Sequence, residues 1–293
     1  METSQLTAAG TIILGVSAVG LAGAFVWAAM VPSEGRIARW SSHYGLALTE
    51  SNRSLVAAYL RRTRSLQVAG GALGWLLSPL WITLFGRPFP LTDNWVLLAV
   101  AGYLLGAAVG EVTFLRKSRP HSSVRAATLA RRTLSDYIPR ATVWAIRMLP
   151  LTSVSLAVIY AFVPKNPQRT VDPSVGFMIA SSVLVVVLAA LIEWFLRTIV
   201  TRPQPAITND FLAADDAIRA ASIHSLAAAG IALILLSIGW AAVSLGDVIA
   251  SNAFSEVLPW CGVACDLGAL IAWIGLGHLA TWRVRRGAPA VSG

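Results

Sequence analysis

The sequence predicts an all-α, polytopic membrane protein built as a bundle of about seven transmembrane helices. The chain is 56% hydrophobic and only 13% charged, whereas about a quarter of the residues in an ordinary soluble domain are charged. Long apolar runs recur along the chain, and Lys and Arg gather in alternate connections between them. We therefore expect one integral membrane domain that covers residues 1–293.

Seven windows are long and apolar enough to span a membrane, since a helix needs about 20 apolar residues to cross a hydrocarbon core of about 30 Å. The runs are continuous rather than alternating, which favours helices over barrel strands. The first window follows residues without Lys or Arg, unlike a secretory signal, so we expect it to be retained. The predicted spans are residues 7–31, 66–85, 94–115, 141–163, 174–196, 222–245 and 258–282.

Basic residues in the connections orient the predicted bundle, because cytoplasmic segments keep Lys and Arg. Of the 23 Lys and Arg residues, 19 lie in segments 32–65, 116–140, 197–221 and the tail after residue 282, and three lie in the alternate connections. This bias places the N-terminus outside and the C-terminus in the cytoplasm. Arginine far outnumbers lysine beside abundant Ala and Gly, which is typical of a GC-rich bacterium and indicates a bacterial cytoplasmic membrane.

Similar short sequences recur at intervals near 80 residues and suggest one separate span followed by three helical hairpins. One set precedes the second, fourth and sixth spans, and the other set ends the third, fifth and seventh. The alternative is that each cytoplasmic boundary only needs an arginine. The first set is YLRR at 59–62, YIPR at 137–140 and AIR at 217–219, and the second begins at Glu111, Glu193 and His278.

Short helices are expected on the cytoplasmic side before the even spans, at residues 50–62, 124–137 and 210–219. The first has an apolar side and several arginines, a pattern that favours the headgroup plane of a membrane. Membrane lipids, anionic ones above all, are the partners that such a basic surface predicts. The alternative is a solvated loop that only sets topology. A protein partner or a second copy of the chain remains open, and no nucleic acid is expected.

Four charged or titratable residues fall inside predicted spans, where a charge costs about 2.5 to 3.5 kcal/mol at the membrane centre. The helical rise puts them at similar depths near the cytoplasmic side. We expect Arg147 to pair with Glu111, Glu193 or both as a structural ion pair, and the alternatives are a proton or ion relay and side chains that extend to the membrane interface. The candidate intramembrane polar cluster is Glu111, Arg147, Glu193 and His278.

Glycines repeat every four residues in the third predicted span, at Gly102, Gly106 and Gly110. Gly70 and Gly74 have the same spacing in the second span. Glycine lets two helix backbones approach closely, so this pattern predicts that the two spans pack on each other.

No motif for catalysis or a cofactor is present in the sequence. It lacks a phosphate-binding GxxxxGK[ST], an HExxH and a GxSxG, which argues against ATP hydrolysis and standard protease chemistry. His224 with His278 is a weak metal or haem candidate, and Cys261 with Cys265 a weak redox candidate. We predict no catalytic residue, no metal and no cofactor.

The function that these patterns favour is a non-enzymatic, transporter-like or permease-like membrane component. A structural or accessory subunit that docks a cytoplasmic partner or anionic lipid is the first alternative, and an intramembrane lipid-modifying enzyme is the second. A water-filled cavity that contains the polar residues would favour transport. A closed, glycine-packed bundle would favour the subunit, and a cavity open to lipid with paired acids would favour the enzyme.

Overall fold

The structure is a computed structural model that describes residues 20, 23, 32–85, 95–117, 125–126, 132–164, 174–202, 204–205, 209–249 and 253–278. The first predicted span, 7–31, lies outside these residues except for two glycines, so that span stays a prediction. Within the described chain the all-α prediction is confirmed.

Seven α-helices and one short strand pair make up the described chain. The strand pair is antiparallel and joins β1 (Arg125–Ala126) to β2 (Gln204–Pro205). A single 3-10 turn covers Leu134–Asp136. The helices are α1 (Glu34–His43), α2 (Glu50–Phe85), α3 (Trp95–Lys117), α4 (Arg140–Phe162), α5 (Val175–Thr201), α6 (Asn209–Val248) and α7 (Ala253–His278).

Among the described residues, four helices are long and apolar enough to cross a membrane, and they coincide with the last four predicted spans. They are α4, α5, the part of α6 over Asp210–Val248 and the part of α7 over Phe254–Leu276, with mean hydropathies of 1.6, 2.8, 2.3 and 1.8. Large apolar side chains cover their outward faces; Leu151, Val183 and Leu270 are each more than half exposed. Such a surface is typical of helices in contact with lipid rather than water.

Two of the predicted cytoplasmic helices continue directly into the spans that follow them. α2 has 36 residues and α6 has 40, so each unites a basic segment with an apolar one. Neither junction contains a Gly or Pro residue, so the sequence has no signal that would end the helix there. The predicted helix at 124–137 is wrong: β1 and the 3-10 turn occupy described parts of this range. Thr133 and Asp136 form a capping box that favours the tight turn.

The α2–α3 hairpin packs through glycine. A Cβ atom at Gly70 or Gly102 would lie closer than 3.0 Å to the carbonyl oxygen of the other, and one at Gly106 would meet the carbonyl of Leu66 equally closely. A Cβ at Gly110 would lie 3.2 Å from the α2 backbone. The two backbones are therefore in direct contact along the face that carries the glycine repeat.

The other two hairpins pack in related ways. In α6–α7, a Cβ on Gly262 would lie 2.9 Å from the carbonyl oxygen of Gly239, so glycine again allows backbone contact. In α4–α5, the Ser182 hydroxyl donates to the Ser153 carbonyl oxygen at 3.0 Å. The described chain thus consists of α1 and three sequential helical hairpins.

α6 is the central helix of the described bundle. In its apolar window 72% of residues are buried, against 28% for α4, 28% for α5 and 11% for α7. Helices α2, α3, α4, α5 and α7 all contact it. Small residues such as Ala227, Ala228 and Ala229 on α6 let these neighbours approach from several directions.

The three arginine-rich segments meet at one end of the bundle. Ser51 donates to Asp210 at 3.3 Å, which ties segment 32–65 to segment 197–221. Arg132 donates to Asp216 at 2.9 Å, and β1 pairs with β2, so segment 116–140 joins the same group. We call this end of the molecule the basic end.

Candidate functional site

A buried carboxylate, Glu111, lies near the basic end where α2, α3 and α6 meet. It is 0% exposed. The Tyr59 hydroxyl donates to Oε1 at 2.8 Å, and the Ser222 hydroxyl donates to Oε2. Burial, followed by the nearby Glu111 charge, raises the pKa of Tyr59 well above its usual value, so its hydroxyl stays protonated and available as a donor. Both carboxylate oxygens therefore have partners, as a buried acid requires.

Glu111 borders a half-open cavity of about 360 Å³, which we call the polar cavity. Its walls come from α1, α2, α3 and α6. Two guanidinium side chains, Arg36 and Arg64, line it together with the aromatic rings of Trp40 and Tyr44. Cationic, aromatic and acidic groups therefore surround one space at the basic end, a mixture that suits a polar or charged solute.

A larger cavity of about 600 Å³, the apolar cavity, lies further along the same helices, between α2, α3, α6 and α7. Its lining is mainly aliphatic and aromatic, and one carboxylate, Asp266, contributes to it. Val68 and Tyr103 line both cavities, so the polar and apolar cavities share a wall. The volume falls in the range of about 300 to 1,000 Å³ that is typical of small-molecule sites.

Arg147 and Glu193 are joined on the outer surface of the α4–α5 hairpin. The Arg147 guanidinium donates to Glu193 Oε1 at 2.6 Å, and Arg197 donates to the same oxygen at 2.5 Å. The Arg147 and Glu193 side chains are 37% and 22% exposed. Neither borders the polar or the apolar cavity. The exposed rings of Trp144 and Trp194 lie beside them in sequence, as in an interfacial aromatic belt.

The expected cluster of four polar residues is therefore divided. Arg147 meets Glu193, whereas Glu111 is held by Tyr59 and Ser222 on different helices. The helical rise gives depth along a span but not the direction in which a side chain points, and these directions separate the two groups. α7 ends at His278; its side chain lies outside the described residues.

His224 and the cysteines occupy separate places in the fold. His224 is buried, and its Nε2 donates to the Tyr137 carbonyl oxygen at 2.8 Å, which fixes the ring between α6 and the segment before α4. Cys261 is exposed, and Cys265 is half-buried beside it on α7. Among the described side chains, no group of three or more His, Cys, Asp or Glu is arranged to hold a metal ion.

A second ionic group at the basic end was not anticipated from the sequence. Asp215 accepts from Arg202 and, at 3.0 Å, from Arg219, whose side chain is 1% exposed. Arg219 also donates to the carbonyl oxygens of Val200 and Arg202 at 3.0 Å. The group ties the end of α5 to the beginning of α6. Its sequence signal was the spacing of four residues between Asp215 and Arg219 within one helix.

Asp266 is the most informative site residue that sequence reasoning did not single out. It lies inside the predicted span 258–282. The signal was an acid near the middle of an apolar run, where charged residues are rare and normally mark a functional position.

The described chain is an all-α bundle with four helices able to cross a membrane and a half-open cavity of ligand size between its helices. Neither a protein-family model, nor a curated protein, nor a solved structure matches the chain.

Proposed function

We propose that the chain is a multi-pass protein of the bacterial cytoplasmic membrane that acts as a non-enzymatic, transporter-like component. The seven spans begin outside and end in the cytoplasm. The 19 to 3 distribution of basic residues supports this orientation. The meeting of the arginine-rich segments at one end agrees with it, since segments on opposite sides of a membrane would be unable to hydrogen-bond.

The observation that carries the proposal is the pair of adjoining cavities. The polar cavity lies at the basic end with Arg36 and Arg64, and it adjoins the apolar cavity at the shared residues Val68 and Tyr103. A subunit with a purely structural role has no need of such a space, because an empty cavity forfeits packing energy. The apolar cavity lies between α2, α3, α6 and α7, so relative movement of hairpins α2–α3 and α6–α7 would change access to it.

An accessory subunit is the second candidate, and two features favour it. The backbone contact between α2 and α3 makes a closed hairpin, and Arg39 and Arg61 present exposed positive charge at the basic end. Such a surface suits anionic lipid or an acidic cytoplasmic partner. An intramembrane enzyme is less well supported, since each cavity carries one acid, Glu111 or Asp266, rather than a pair.

Access to the apolar cavity from both sides of the membrane tests transport. In a background with Cys261→Ala and Cys265→Ala, Ala72→Cys puts a single thiol in the cavity lining. A transporter alternates its access, so a membrane-impermeant sulfonate maleimide should label this thiol in both right-side-out and inside-out vesicles.

The matched control is Ala157→Cys, which replaces a residue that is 3% exposed and packed in the core between α4, α5 and α6. It should stay unlabelled from either side. Labelling of Ala72→Cys from only one side, or from neither, would contradict transport and favour the accessory subunit.

A further inference from the structure

Asp266 occupies a position where a carboxylate is costly. It lies at the middle of α7, a helix of 26 residues, about 18 to 20 Å from either end at a rise of about 1.5 Å per residue. When α7 spans a membrane, this depth is close to the bilayer centre. A charged group there persists when a partner or a polar cavity compensates it.

No residue in the described part of the chain forms an ion pair or hydrogen bond with Asp266. Residues 1–31, which are largely outside that part, contain no Lys, Arg or His. This N-terminal stretch therefore has no cationic side chain to supply. A bound cation would supply the compensating charge that neither the described residues nor this stretch provides.

Asp266 is exposed on α7 where it lines the half-open apolar cavity, so a ligand can reach its carboxylate. A Cβ on Gly239 of α6 would lie 2.9 Å from Asp266 Oδ1, so glycine at this position keeps α6 clear of the acid. Three aromatic residues line the same cavity: Trp75 from α2, Tyr103 from α3 and Trp273 from α7. The rings of Tyr103 and Trp273 meet edge to face, with centroids 5.8 Å apart.

A carboxylate and several aromatic rings around an apolar space are the chemistry that recognises an organic cation. The acid supplies the opposite charge, the ring faces attract the cation, and the aliphatic lining accepts the apolar part of the ligand. Asp266 would repel an anionic lipid, and a neutral lipid tail would leave the charge of Asp266 uncompensated. A small metal ion would lack ligands, because the described lining offers one carboxylate among mainly apolar groups.

We propose that the apolar cavity binds a lipophilic organic cation, with Asp266 as its counter-ion and Trp75, Tyr103 and Trp273 against its positive charge. This inference rests on the proposed transporter-like function and names the substrate class for it. The cavity of about 600 Å³ is large enough for a ligand with several hydrophobic groups around one charged centre.

Equilibrium binding of tetraphenylphosphonium to the purified full chain in detergent tests the inference. Tetraphenylborate has the same shape and the opposite charge, and it separates charge recognition from simple partitioning into an apolar space. We expect the wild-type chain to bind the phosphonium at least about tenfold more tightly than the borate, a ratio in keeping with an opposite charge beside aromatic rings.

Variants assign the selectivity to the cavity. Asp266→Asn should weaken phosphonium binding at least about tenfold and remove the preference over borate, while Asp266→Glu should keep the preference. Trp75→Leu, which retains the acid, should weaken phosphonium binding several-fold through loss of one ring. Glu256→Gln is the control, because Glu256 is an exposed acid on α7 that does not line the cavity.

Equal binding of both probes to the wild type, or an unchanged preference in Asp266→Asn, would overturn the inference. Stronger binding of the borate would instead indicate an anionic occupant and would overturn it as well. The two proposals fail separately. If Ala72→Cys is labelled from both sides but phosphonium does not bind, the result supports transport and contradicts the cation site. If phosphonium binds selectively but labelling occurs from one side only, the result supports the cation site and contradicts transport.

Discussion

Gly106→Leu should prevent the α2–α3 hairpin from closing and should destabilise the bundle by at least about 3 kcal/mol, the upper part of the range for overpacked sites. Even a Cβ at this position would overlap the Leu66 carbonyl oxygen, which belongs to the α2 backbone and is unable to rotate away. Unfolding in mixed detergent micelles, followed by circular dichroism, measures the loss.

Gly275→Leu is the matched control, since a Cβ at that helical glycine meets nothing within 4 Å. It should leave stability close to that of the wild type. Wild-type stability in Gly106→Leu would show that α2 and α3 do not pack through these glycines in the folded protein.

Asp215→Asn should be the most damaging single charge change at the basic end. It removes the anionic partner of two arginines, Arg202 and Arg219, and the Arg219 side chain is only 1% exposed. Stranding one member of a buried ion pair costs about 3 to 5 kcal/mol. Arg219→Met should cost less, because Asp215 keeps Arg202 as a partner.

The neighbouring acid provides the control for this prediction. Asp216 pairs with Arg132, and their side chains are 45% and 24% exposed, so Asp216→Asn should cost about 1 kcal/mol or less. The double variant Asp215→Asn with Arg219→Met should recover part of the loss of Asp215→Asn, as thermal melting in detergent would show. Equal losses for Asp215→Asn and Asp216→Asn would mean that burial of Arg219 adds nothing.

Apolar run length and glycine spacing predicted the helices well because both signals are local. The windows at 141–163, 174–196, 222–245 and 258–282 coincide with α4, α5, α6 and α7, and the glycine repeat lies where α2 and α3 touch. Helix continuity was harder to predict, since a change from basic to apolar residues marks a change of environment and does not by itself end a helix.

The site was only partly accessible from the sequence, because it depends on side-chain direction. Spacing placed Glu111, Arg147 and Glu193 at similar depths, but Glu111 points between α2 and α6 while Arg147 and Glu193 point outward. The cavities themselves are formed by residues from four helices. Asp266 could have been noticed as an acid in mid-span, but its aromatic neighbours Trp75 and Tyr103 come from other helices.

Two-sided labelling of the bundle ends tests most directly whether this chain crosses a membrane with its basic end in the cytoplasm. In the background without cysteine, Ser54→Cys places a thiol at the exposed basic end, and Ser174→Cys places one at the exposed beginning of α5. In intact cells a membrane-impermeant maleimide should label Ser174→Cys and spare Ser54→Cys, with the reverse in inside-out vesicles. Labelling of both thiols from the same side would contradict the spanning bundle, and exchanged sidedness would contradict its orientation.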